Sequence, residues 1–274
     1  MPAMAILLLN LFLTGINLFL PFMTVHQLYI NQQFSGSIWR MEIDEISDTI
    51  FVEIRNDTEK QVSFSSIDLN TGNLNFKDLT TPERWLTGIE TAYDGVLILH
   101  NYQTTTGPAH RGLTAVGEDG TVLWTNYIYA FDHLTVKGPI LYDTHIHPKK
   151  LFLVDIKSGA AERVYEPTLL PEIESNIKVP DMLPADSLPH DALHFPVFGN
   201  TVHYLEYNNF RIVSLHTLQA GVLKQYLYVL DGTVMVYEDL LNSDIQKLQP
   251  EAFILHKNRL IYIKNKSELK VLDL

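Results

Sequence analysis

Residues 63–76 read SFSSIDLNTGNLNF, an apolar strand, a polar turn carrying Gly72, and a second apolar strand. The same pattern returns as GLTAVGEDGTVLWTNY (112–127), LFLVDIKSGAAERVY (151–165) and IVSLHTLQAGVLKQYLY (212–228). The turn glycines are Gly72, Gly120, Gly159 and Gly221. Glycine suits a turn that needs a positive φ. These glycines stand 48, 39 and 62 residues apart, the last gap spanning a Pro-rich insertion, and a unit repeated in this way predicts the blades of a propeller.

Working outward, the chain after residue 25 alternates apolar and polar residues, as in TIFVEIR (49–55), TVHYLEY (201–207) and RLIYIKN (259–265). That period of two predicts short half-buried strands. One short helix is expected at 238–248, EDLLNSDIQKL. Each repeat fits a four-stranded blade, its strands named A to D, with the glycine turn joining C and D. The first blade covers 37–79, the second 84–129, the third 131–167 and the fourth 190–238. The tail, 252–274, holds strands A, B and C alone. VHQLYINQQF (25–34) has no other partner and is expected to supply the missing outer strand. The fold class is therefore all-β, a β-propeller of five four-stranded blades closed by that N-terminal strand, which leaves no long sheet edge bare. It forms one domain, 25–274, with a Pro-rich insertion at 166–196 that reads either as an arm on the face around the channel mouth or as a long ordered loop packed on its own blades.

The D-x-x-T/S-G-x-x-x-W-like turns, with Asp68–Gly72 and Gly120–Trp124 as the nearest matches, resemble quinoprotein-like (PQQ-type) β-propeller repeats. The span 30–274, through IWRMEID (38–44), AYDGVLILH (92–100) and AFDHLTVKGPI (130–140), resembles a bacterial domain-of-unknown-function family found mainly in Bacteroidetes. That resemblance implies a propeller beginning near residue 25 and brings no activity with it. PQQ enzymology is not implied, because those dehydrogenases resemble larger rings with a vicinal disulfide, and this chain has no cysteine.

Composition excludes several classes. The absence of cysteine rules out disulfides, thiolate catalysis and zinc–thiolate sites. A formal charge of −12 without a basic stripe opposes nucleic-acid binding. No Gly-rich phosphate loop or nucleophile elbow occurs. Residues 3–24 carry no charge, and the first Lys or Arg is Arg40. The stretch is long enough to span a bilayer, and it reads as a membrane anchor, a signal segment or a mis-assigned start upstream of Met23. Localisation follows from that choice: cytoplasmic with a start near Met23, membrane-anchored otherwise. No cofactor is expected, and the chain is expected to be a monomer.

The motif DTHIH (143–147) looks like the metal-binding start of an amidohydrolase barrel. It lies mid-chain and lacks the βα alternation such a barrel needs. In the propeller it ends strand B of the third blade and enters the B–C loop. Two readings stand there: imidazoles in water or on neighbouring backbone, and a face-borne metal set of His145, His147 and His133. His110, His190 and His194 fall on the same face. Neutral imidazoles with a carboxylate suit zinc or a related ion.

A second constellation precedes the A strands, where Arg84, Asp132, Asp191 and Glu251 align, with Trp85 and His133 beside them. As a polar channel mouth these six residues would bind a cationic or polyhydroxy ligand; as turn chemistry, Asp before a strand holds its own backbone. Trp39, Trp85 and Trp124 are expected to pack between blades. No catalytic residue is assigned. Two functions remain: a non-enzymatic module binding a protein or a surface polymer, and a hydrolase or lyase using the His/Asp groups of that face.

Overall fold

The computed structural model describes residues 28–102, 110–166, 170–187, 193–249 and 253–274. The hydrophobic stretch 3–24, His190, Asp191 and Glu251 lie outside them. Among the described residues there are five antiparallel sheets and no α-helix, which sets aside a (β/α)₈ barrel. The first sheet orders β2 (Ser37–Asp44), β3 (Thr49–Asn56), β4 (Gln61–Asp68) and β5 (Leu74–Leu79). The second orders β6 (Thr87–Tyr93), β7 (Val96–Tyr102), β8 (His110–Val116) and β9 (Val122–Asn126). The third orders β10 (Tyr129–Thr135), β11 (Gly138–Asp143), β12 (Leu151–Val154) and β13 (Ala161–Arg163). The fourth has five strands, β14 (Asp181–Pro184), β15 (Thr201–Tyr207), β16 (Phe210–Gln219), β17 (Val222–Asp231) and β18 (Val234–Ser243). The last orders β19 (Phe253–His256), β20 (Arg259–Lys264), β21 (Glu268–Asp273) and, on its outer edge, β1 (Leu28–Gln33). These are the blades of a β-propeller.

The N-terminal strand completes the last blade, as its sequence predicted. Ile30 pairs with Val271 and Gln33 with Glu268. Its apolar side chains are the reason. Ile30 and Phe34 are buried in one cluster with Ile261, Leu269 and Val271 of the last blade and Ile50, Val52, Ile54 and Ile67 of the first. Similar shared clusters join the first blade to the second, the second to the third, and the fourth to the last. Burying these side chains stabilises each joint at roughly 1.5–3 kcal/mol per large apolar group.

A glycine marks three successive joints. The space beside Gly159, where a Cβ would stand, is 2.8 Å from Cγ of Trp124, and the Trp124 indole Nε1 donates to the Ile156 carbonyl at 2.8 Å. Gly120 meets Phe76 in the same way, at 3.2 Å, and Gly72 meets Ile30 and Tyr29. The Tyr29 hydroxyl donates to the Asn70 carbonyl. Thus the outer strand of one blade lays an apolar or aromatic side chain on the bare glycine turn of the next. The turns themselves are built by aspartate. The Asp68 and Asp155 carboxylates accept backbone N–H groups two or three residues on, and Gly72 and Gly159 donate back to the Asp68 and Asp155 carbonyls at 2.8 Å.

Three expectations are corrected. Glu238–Ser243 belongs to β18, so no helix forms at 238–248; the ten-residue strand pairs along β17 and overrides helical periodicity. Gly221 joins β16 to β17, the second and third strands of its blade proper, and Gly232 stands where Gly72, Gly120 and Gly159 stand elsewhere. The frame slips because an Ala220–Gly221 hairpin, with φ of 49° and 79°, uses the same residue type for a different turn.

The insertion does not lie as an arm on the face of the B–C loops. Pro171 and Ile173 hydrogen-bond to the end of β10 and the turn after it, and Lys178 exchanges two 2.8 Å hydrogen bonds with Leu255 near the end of β19. Glu45, in the turn after β2, accepts the Ser175 hydroxyl and the Asn176 amide. The insertion therefore crosses the end of the channel where strands A turn into strands B, here called the lower face. It then rises along β15, with Asp181 opposite Tyr204 and Pro184 opposite Thr201, to the upper face. Ile173 and Ile177 close over Met41, Ile43, Leu134 and Ile254, leaving a cavity of about 200 Å³.

Candidate functional site

The inner strands of the first three blades each contain a β-bulge. Register shifts fall between Ile38 and Arg40, between Ile89 and Thr91, and between Phe131 and His133. The extra residues are Trp39, Glu90 and Asp132. A bulge adds one residue to one strand and re-aims its side chain. Asp132 is thus inside β10 and equivalent to Trp39 and Glu90, whereas Arg84 precedes β6. The alignment of Arg84, Asp132, Asp191 and Glu251 as one ring before the A strands is corrected for this pair by the bulge; Asp191 and Glu251 fall outside the described residues.

Around the second bulge the first two blades are clipped together. Arg40 donates to the Ile89 carbonyl at 2.8 Å and the Glu90 carbonyl at 3.0 Å, and its Nη2 is 3.1 Å from Glu42. Glu53 accepts the Ile89 amide at 2.9 Å and the Arg55 guanidinium at 2.7 Å. Arg55 also donates to the Thr87 carbonyl at 3.0 Å. Burial raises the Glu42 carboxyl above its ordinary range, and Arg40 offsets only part of that.

Above this clip lies an aromatic–cationic ladder. The Arg55 guanidinium sits 5.3 Å from the Trp39 ring and 5.0 Å from the Trp85 ring, and Lys60 Nζ lies 4.7 Å from the Trp85 ring. Trp39 is 68% exposed. The expectation that Trp39 packs between blades is therefore corrected: the bulge turns it to solvent. Trp85 is half-buried against the joint between the first and second blades, and Trp124 packs between the second and third as expected. Next to Glu83, whose carboxylate accepts the Trp85 and Leu86 amides, opens a cleft of about 280 Å³ lined by Leu79, Pro82, Leu99, Val122 and Tyr127.

Glu90, His100 and His110 meet within the second blade, their ligand atoms all within 4.8 Å of one another. The Glu90 Oε2 atom is 2.8 Å from His110 Nδ1 and 3.1 Å from His100 Nδ1. The two imidazoles stack with centroids 3.5 Å apart, and Tyr102 stands edge-on to both. Burial pushes the His100 imidazole below its ordinary range, with Glu90 opposing. Burial also works against ionised Glu90, but the contacts with His100 and His110 outweigh it and hold the carboxyl below its ordinary range.

DTHIH enters the B–C loop of the third blade, where the sequence placed it. The His145 amide donates to Asp143 at 2.8 Å, its Nε2 is 2.7 Å from Arg111 Nη2, and His147 is exposed before a cis Pro148. His133 Nδ1 is 2.6 Å from Asp132, which also accepts Lys149. Although burial works against it, contacts with Lys149 and His133 hold the Asp132 carboxyl below its ordinary range. His194 pairs with Glu238 at 2.7 Å. Among the described residues the sole group of three potential ligands is Glu90, His100 and His110, so His133, His145 and His147 are not gathered. Sequence reading found His110 and missed its two partners. The signal was a histidine ending an apolar strand, VLILHNY (96–102), with a second histidine opening the strand that pairs with it.

The bulged inner strands and the glycine joints define a β-propeller with its elaborated groups on the upper face. The family model of DUF4905, a domain of unknown function, matches residues 43–124, the part of the chain that holds Glu90, His100 and His110. No curated protein matches the sequence. Among solved structures, the chain is similar to Raptor from Chaetomium thermophilum at 8% identity and a TM-score of 0.31, over 92% of this chain and 29% of that one. It is also similar to BamB from Moraxella catarrhalis at 9% identity and a TM-score of 0.21, over 91% of this chain and 86% of that one.

Proposed function

We propose that the chain is a non-enzymatic binding module whose upper face takes a protein or a surface polymer. The observation that carries this reading is the exposed Trp39 ring, stacked through Arg55 onto Trp85. A large aromatic surface held in one orientation offers contact area at little entropic cost. The insertion occupies the lower end of the channel, which favours the upper face as the one that receives a partner. The rival reading, a hydrolase or lyase, draws on the His and Asp groups of that face; His133 and His145 already have protein partners there.

The test is retention of immobilised peptides and polysaccharides by the full chain and by Trp39→Ala. A ligand held by the wild type and released by Trp39→Ala, with melting unchanged, supports the reading. A retained ligand indifferent to Trp39→Ala, or turnover of any of the probes, contradicts it.

A further inference from the structure

We infer that Glu90, His100 and His110 form a binding site for a divalent transition metal ion of the zinc class. The three residues come from adjacent strands of one blade, β6, β7 and β8, so the backbone ladder fixes their spacing before any ion arrives. Both imidazoles direct Nδ1 toward the same carboxylate oxygen, at 2.8 and 3.1 Å. Ligands bound tetrahedrally at ~2.0–2.2 Å stand roughly that far from one another, or slightly farther.

A buried polar group without a partner is the second, independent observation. His100 is 2% exposed; its Nδ1 has only the 3.1 Å ion-pair contact with Glu90, which is not a well-aligned hydrogen bond, and its Nε2 has no hydrogen-bond partner. Leaving such a group unsatisfied costs about 1–3 kcal/mol, which is uncommon without a compensating role. Gly88 adds room on the far side of that ring, since a Cβ there would stand 3.2 Å from His100 Nε2 and 3.0 Å from Glu53 Oε2.

The rings as they stand are parallel to within 7°, so an ion in the plane of one lies outside the plane of the other. One ring must turn. His110 is the one free to do so, with its side chain 30% exposed at the rim, while His100 is packed in place. Two imidazoles and one carboxylate are the donor set of zinc sites that keep a fourth position open. Such sites also take copper and nickel more tightly than manganese or iron. A largely covered carboxylate facing two nitrogens supplies the negative charge a divalent cation needs.

The test uses the full chain stripped with a chelator and titrated with Zn²⁺ alone by calorimetry, with Co²⁺ as a spectroscopic probe. One Zn²⁺ per chain, a visible Co²⁺ band of low-symmetry coordination, and a higher melting temperature with zinc are expected. His110→Ala and Glu90→Gln should each weaken binding by more than ~100-fold, beyond what loss of a merely supporting residue costs. The triple variant His133→Ala, His145→Ala, His147→Ala should bind as the wild type does. Melting of His110→Ala without zinc, compared with wild type, separates loss of the site from loss of the fold. Absence of stoichiometric uptake overturns the inference. So does uptake that survives both His110→Ala and Glu90→Gln, or that is lost only in the triple variant.

Discussion

Gly159 and Gly221 are the same residue type in turns of similar φ, +72° and +79°, yet their surroundings differ. A Cβ on Gly159 would press on the Trp124 ring, whereas nothing lies within 4 Å of the same position on Gly221. Gly221→Ala should therefore cost only the backbone strain of a left-handed residue, ~1 kcal/mol. Gly159→Ala should cost more, about 2–4 kcal/mol, because the neighbouring blade must also move. Urea unfolding of the two variants checks this; equal losses would show that the joint does not rest on the glycine. The sequence could reveal that glycine recurs, because a positive φ leaves few alternatives. It could not reveal which turn each glycine occupies, since that depends on the strand it faces in the next blade. Glu90 was equally silent: its role comes from a bulge, and a bulge depends on how two strands register.

At the scale of elements, β1 carries the largest consequence. A chain beginning at Met23 should unfold cooperatively, while one beginning at Gly36 lacks Tyr29, Ile30 and Phe34 and leaves the edge of β21 bare. Phe34→Ala alone should cost about 3–5 kcal/mol. Equal melting of the two truncated chains would refute this role for β1. The strand was legible because the tail was one strand short and one segment had no partner. The helix expected at 238–248 failed because local period is a weaker constraint than a long ladder to β17. Asp239 in that strand accepts Tyr262 at 2.9 Å, Lys264 at 2.6 Å and Lys270 at 3.2 Å across the joint to the last blade. Burial opposes its ionisation, but the bonds from Lys264 and Tyr262 and the charges of Lys270 and Lys264 outweigh it and hold the carboxyl below its ordinary range. A carboxyl depressed in the folded state stabilises fully above its unfolded range, and that contribution is lost as pH falls through the folded pKa. Acid unfolding below about pH 4 should lose this dependence in Asp239→Asn, which also leaves Lys264 without its carboxylate and Lys270 with Glu268 at 3.9 Å, and should cost roughly 3 kcal/mol at neutral pH. An unchanged acid transition in the variant would assign the sensitivity to other groups.

At the scale of the whole molecule, the insertion makes the two faces unequal. It is held to the lower face by Glu45 and by the two bonds between Lys178 and Leu255. Glu45→Ala should raise hydrogen exchange at Ser175–Lys178 with little change in global stability, as expected of a local opening. That threading was not legible, because a Pro-rich segment without periodicity carries no information about the face it crosses. The upper face is the one proposed for a partner, with Trp39, Arg55 and Trp85 at the joint of the first two blades. Photo-crosslinking in native extract tests this most directly, with a photoreactive amino acid placed at Trp39 on the upper face or at Ile46, exposed in the lower-face turn after β2. A discrete crosslinked species from position 39 and none from position 46 is the expected result; crosslinking from position 46 alone, or from neither, would contradict a binding module that works through its upper face.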